Sequence, residues 1–133
     1  MISAAIFLAA AALAGGDDPA IDCDNQMAQR DMNICSYRDY EQADQDLNTQ
    51  WKITSEIQKR FDRDPYVVKD GRPGYFDTLL AAQRAWLTYR DNHCRSEGYS
   101  MRGGTAEPLV NNGCRAQLTR ARTEQLKDLA EEK

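Results

Sequence analysis

The sequence predicts an all-α domain: a small antiparallel helical hairpin joined by a third helix, a three-helix bundle stapled by two disulfides. Three observations predict it. Apolar residues recur at steps of three and four through most of the chain. Clusters of Gly, Pro and Asp break that pattern at 62–74 and 103–108. Four cysteines, Cys23, Cys35, Cys94 and Cys114, follow an N-terminal apolar run, the arrangement of an exported, cross-linked small domain.

The leader comes first. Ile2 to Leu13 is almost wholly Ala, Ile, Leu and Phe, and Ala12-Leu13-Ala14 places small residues at the positions a signal peptidase reads. Residues 1–14 are read as a signal peptide, with cleavage as late as 20. The run is shorter than the roughly 20 apolar residues of a membrane span. No cysteine directly follows the cleavage pattern, so no membrane anchor is expected after cleavage, and the mature protein is expected to be periplasmic or secreted. About 119 residues then remain, enough for a single domain with a modest core, placed at 23–130.

The first helix is predicted from Asn25 to about Phe61. Tyr40, Ala43, Leu47, Trp51, Thr54, Ile57 and Phe61 form its apolar stripe, with Arg38, Asp39, Glu41, Asp44, Asp46 and Lys52 flanking it. Asp62-Arg63-Asp64-Pro65 stops this helix, and Asp70-Gly71-Arg72-Pro73-Gly74 is a turn cluster, so 62–74 is a connecting loop. Only Tyr66-Val67-Val68 within it resembles a strand. The second helix is predicted over Tyr75–Ser100, with Phe76, Leu79, Leu80, Gln83, Trp86, Leu87, Arg90 and Cys94 on one face. Gly103-Gly104 breaks the chain. Thr105 is then a plausible N-cap and Pro108 fits a first turn. Asn111-Asn112-Gly113 weakens that start, so the ordered part of the third helix is expected nearer Cys114.

The cysteine spacings, with a single histidine in the chain, fit no metal knuckle and argue for two disulfides and no metal. Four cysteines allow three pairings. With about 1.5 Å of rise per residue measured from the hairpin loop, Cys94 lies closer to the level of Cys35 than to that of Cys23. This favours Cys35–Cys94, which leaves Cys23–Cys114. The net charge of −4 is unevenly spread: residues 1–48 carry −7 and the remainder +3. That split fits either a solvated acidic helix face or a surface that attracts a basic partner. Nucleic acid is not expected as a partner, given the overall sign and the exported location.

Enzymatic chemistry is not expected. His93 is the only histidine, no Gly-x-Ser-x-Gly sequence occurs, and all four cysteines are assigned to disulfides. Asp44 and Asp46, two residues apart on a helix, point apart and cannot serve as a glycosidase pair. No phosphate-binding glycine loop and no calcium loop is present, so no cofactor is expected. Two groups remain as candidate binding residues. Trp86 and Arg90 lie on the inward stripe of the second helix, either as a network joining Arg90 to carboxylates of the first helix or as anchors of a recognition surface. Tyr99, Arg102, Gly103 and Gly104 combine an aromatic, a cation and permissive glycines in a loop beside an expected disulfide.

Several ordered motifs resemble one family. Met32-Asn33-x-Cys35, Tyr40-x-x-Ala43-Asp44-x-x-Leu47-Asn48, Gln83-x-x-Trp86-x-x-Tyr89-Arg90-Asp91-x-x-Cys94, Gly103-Gly104-Thr105 and Thr119-x-x-Arg122-x-x-x-Leu126 are similar to the bacterial LprI-type lysozyme-inhibitor family from roughly Cys23 to Leu129. The resemblance implies an exported helical domain that binds lysozyme and protects peptidoglycan. The alternative is a periplasmic interaction or stress module without lysozyme affinity. Surface tethering does not carry over, because this chain has no lipobox.

Overall fold

The computed structural model describes residues 20–26 and 28–131; the leader and its cleavage pattern lie outside the described residues. Three helices, α1 (Gln29–Asp62), α2 (Tyr75–Gly98) and α3 (Glu107–Ala130), follow in order, with one 3-10 turn, Tyr99–Met101, between the last two. No strand occurs among the described residues, and Tyr66–Val68 is loop. Consecutive helices run antiparallel, as the short connections predict.

Each boundary has a local cause. α1 begins later than its apolar pattern suggests because Asp22 turns the lead-in: its carboxylate accepts from the Asp24 amide (3.0 Å) and its carbonyl from the Asn25 amide. At its far end α1 supplies the cap of its successor. The Asp62 carboxylate accepts from the amides of Tyr75 (2.7 Å) and Phe76 (3.0 Å), two of the unpaired donors that open α2. Gly74 makes this approach possible, since a Cβ there would lie 2.6 Å from Asp62 Oδ1. Asp62→Ala is therefore expected to cost about 1 kcal/mol of stability, read from the midpoint of a urea titration. An unchanged midpoint would show that solvent caps α2 equally well.

α3 starts at Glu107, earlier than the sequence suggests. Asn111-Asn112-Gly113 is helical despite its low propensity, because Asn112 is buried and donates to the Ser36 hydroxyl on α1 (3.2 Å). Thr105 does not cap the helix; Ala106 holds that position without a side-chain bond. Instead the Thr105 carbonyl accepts from Asn33 Nδ2 (2.8 Å).

The packing differs from a simple hairpin with an added helix. α3 runs parallel to α1 and makes the largest interface with it, whereas α1 and α2 share the smallest of the three. The register is visible in the cross-links: Asn33 with Thr105, Ser36 with Asn112, Thr54 with Leu126 and Gln58 with Leu129. Small residues allow this closeness, for Ala43, Thr54, Ala116 and Thr119 are all at most 1% exposed. The Thr54 hydroxyl donates to the Leu126 carbonyl (2.8 Å), so even the polar members of the seam are satisfied. Two apolar clusters fill the space between the helices, Tyr40, Ala43 and Ala116 above Leu47, Leu79 and Leu126, with Trp51 and Trp86 packed against the second.

The disulfides are Cys23–Cys35 and Cys94–Cys114, with Cα separations of 5.6 and 5.4 Å. The favoured pairs Cys35–Cys94 and Cys23–Cys114 are thus corrected. α1 is ten residues longer than α2, 34 against 24, so Cys35 and Cys94 differ by roughly 12 Å in height above the α1–α2 connection. A disulfide spans only about 5.5 Å between Cα atoms. Each cysteine instead bonds its neighbour in sequence. Cys23 folds back from the lead-in onto the second turn of α1, and Cys94 near the end of α2 meets Cys114 two turns into α3.

Candidate functional site

Four of the six candidate binding residues come together at one end of the bundle. The chain leaves α2 through Tyr99–Met101 and turns at Gly103, whose φ of +77° is the left-handed conformation that glycine adopts without strain. Its backbone is tied down at several points. The Gly104 amide donates to the Met101 carbonyl (2.9 Å), the Gly103 amide to Glu107 Oε2 (2.9 Å), and Asn33 of α1 holds Thr105. Cys94–Cys114 closes the stem beneath. Outward, the Arg102 guanidinium lies 4.4 Å over the Tyr99 ring, and both Tyr99 and Met101 are about half exposed. The result is a braced loop presenting an aromatic, a thioether and a cation.

Trp86 and Arg90 are not part of that surface. The Arg90 side chain is only 6% exposed: Nη1 donates to Asp44 Oδ1 of α1 (3.3 Å) and to the Thr119 hydroxyl of α3 (3.3 Å), and Nε to Asp91 Oδ1 (3.0 Å). Its guanidinium lies 5.3 Å from the Tyr40 ring and 5.2 Å from that of Trp86. Trp86 is half-buried against the lower apolar cluster. Their placement as exposed anchors is therefore corrected. A guanidinium on the inward face of α2 is costly to bury without such a cage of acceptors and rings, which joins all three helices.

Acidic α1 is partly neutralised from within. Arg120 of α3 makes a two-pronged pair with Asp39, which with neighbouring Asp46 raises the guanidinium's proton affinity against the opposing effect of burial. Asp44 is taken by Arg90, leaving Glu41 and Asp46 as exposed acids on that stretch. His93, Glu97 and Cys114 converge within 4.8 Å, but Cys114 is in a disulfide and offers no thiolate, while His93 Nε2 is 3.0 Å from Glu97 Oε1. This trio is not a metal-binding set.

The opposite end of the bundle holds a feature absent from the sequence reading. The α1–α2 loop, the first two turns of α2 and the C-terminal half of α3 enclose an open cleft of about 1050 Å³. Val67, Val68, Leu79, Ala82 and Leu129 give it apolar walls, and Arg122 is its charged residue on α3. The available signal was Tyr66-Val67-Val68, three apolar residues in a loop with no core position to fill; Tyr66 and Val68 are indeed 92% and 79% exposed.

A family model described as lysozyme inhibitor LprI matches residues 22–126. An uncharacterized protein of Rhizobium meliloti is 37% identical over 126 residues, covering 95% of this chain and 91% of the relative. No solved structure matches.

Proposed function

Because the chain belongs to the LprI lysozyme-inhibitor family, we propose that it is an exported lysozyme-inhibitor-like protein that binds lysozyme and so protects peptidoglycan. The braced loop Tyr99–Thr105 is the observation that carries this reading. A muramidase cleaves its substrate between carboxyl groups held across a cleft. A rigid protrusion tipped by one guanidinium is complementary to such a site in shape and charge, and it loses little conformational entropy on docking. Glu41 and Asp46 add long-range attraction toward a cationic enzyme. Two disulfides fit an oxidising compartment, in keeping with a periplasmic or secreted protein. A family described as inhibitory agrees with a non-enzymatic protein.

The test is lysis of a peptidoglycan suspension by chicken-type and goose-type lysozymes, with and without the oxidised protein. Dose-dependent protection is expected against at least one of them, weaker at high salt. Arg102→Ala is expected to raise the half-inhibitory concentration about tenfold, the loss of one charge-assisted hydrogen bond. A second reading is favoured by the internal pairing of Asp39 and Asp44, which leaves less free acid for a cationic partner: an envelope interaction module without lysozyme affinity. Folded protein that protects against neither enzyme would establish that reading.

A further inference from the structure

Arg122 is the one charged group of the cleft wall for which this fold provides a hold but no counter-ion. Its Nε donates to Gln83 Oε1 (2.9 Å) and its Nη1 to Gln125 Oε1 (3.0 Å), both neutral amides, while Nη2 is buried without a hydrogen bond. No carboxylate among the described residues pairs with it, and burial alone lowers its proton affinity. The other ionic groups of the cleft are accounted for. Asp62 caps α2, Asp70 is paired with Arg72, and Lys69 and Asp77 are exposed and of opposite sign. Arg90, buried between the helices, is by contrast held by two carboxylates.

We propose that the cleft between the α1–α2 loop, α2 and α3 binds a free amphiphile with one carboxylate and an unbranched apolar tail, its head received by Arg122 and its tail lying along Val67, Leu79, Ala82 and Leu129. Its volume of about 1050 Å³ is ample for such a molecule. An acyl chain is favoured over a peptide as the occupant because several backbone donors at and beside the cleft are already engaged. The amides of Tyr66 and Val67 bond to Asp64, that of Arg72 to Asp70, and those of Tyr75 and Phe76 to Asp62. An extended backbone would find few partners, whereas an acyl chain needs none. Arg122 lies 15 residues along α3 from Glu107, roughly 23 Å from the loop at 99–105, so the cleft and that loop share no residue.

Decanoate and decanol serve as probes, titrated calorimetrically into the oxidised protein below the concentration at which decanoate forms micelles. Decanoate is expected to bind at least about tenfold more tightly than decanol, the contribution of a charge-assisted contact. Arg122→Gln is expected to remove that preference and leave decanol binding unchanged. Ala82→Trp, which adds bulk to the apolar wall that α2 contributes, is expected to abolish both. Equal affinity of the wild-type protein for the two probes would overturn the proposal without recourse to any variant. So would decanoate binding that survives Ala82→Trp, or the absence of any heat of binding.

Discussion

Replacing Cys94 and Cys114 together by alanine is expected to destabilise the protein by about 3 kcal/mol, a fall of roughly 10–20 °C in melting temperature. The bond closes a loop of 20 residues, and in the chain-entropy model that constraint on the unfolded state is worth about this amount. Its sulfurs are also in the core, with Cys94 fully buried and Cys114 6% exposed, so alanine leaves small cavities as well. The matching change at Cys23 and Cys35 provides the control. Its loop, 12 residues, is nearly as costly to close on entropy alone, yet it ties down only the irregular lead-in before α1. That segment can detach while the three helices remain packed, so the loss of global stability is expected to be less than half as large. Denaturant titrations of both double variants measure the difference. Equal losses would mean that the lead-in is integral to the cooperative unit. The first variant is also expected to lose inhibition beyond its loss of stability, because the freed stem no longer braces Tyr99–Thr105.

The second large effect is expected at Arg90. Arg90→Ala removes the cation that Asp44, Asp91 and Thr119 share, and with it the packing between Tyr40 and Trp86. Breaking a buried pair from one side costs about 3–5 kcal/mol. Asp44 and Asp91 are 37% and 53% exposed, so water can recover part of their solvation, and the expected loss falls to about 2–3 kcal/mol. Arg90→Met separates packing from charge. Methionine fills much of the same space and leaves no cation to solvate, and such replacements are often neutral. It is expected to stay within about 1 kcal/mol of the parent. If methionine were as damaging as alanine, the charge network rather than the bulk between the rings would hold the helices together.

The helices were legible because their stripes are regular. Tyr40, Ala43, Leu47 and Thr54 on α1 and Leu79, Gln83, Arg90 and Cys94 on α2 are all buried, as their spacing predicts. Arg90 was also legible as a network residue, since a charge on an inward face must find acids. Three features were not legible, each for a physical reason. Disulfide pairing depends on the relative heights of helices, and an unequal pair of lengths shifts those heights by about two turns. The start of α3 was hidden because Asn112 gains a tertiary partner that no propensity anticipates. The cleft required three segments distant in sequence, and only Val67 and Val68 hinted at it. The loop at 99–105 was found from composition alone; its bracing by Asn33, 72 residues away from Thr105, could not have been.

The two sulfur bridges join first to second and third to fourth, so neither loop encloses or crosses the other. A chain threading through a translocation pore presents its thiols in that same order. An oxidant acting on each as it emerges would therefore make the correct bonds at the first attempt, with no later reshuffling. For the exported protein proposed above, oxidation is therefore expected to need a thiol oxidase but no disulfide isomerase.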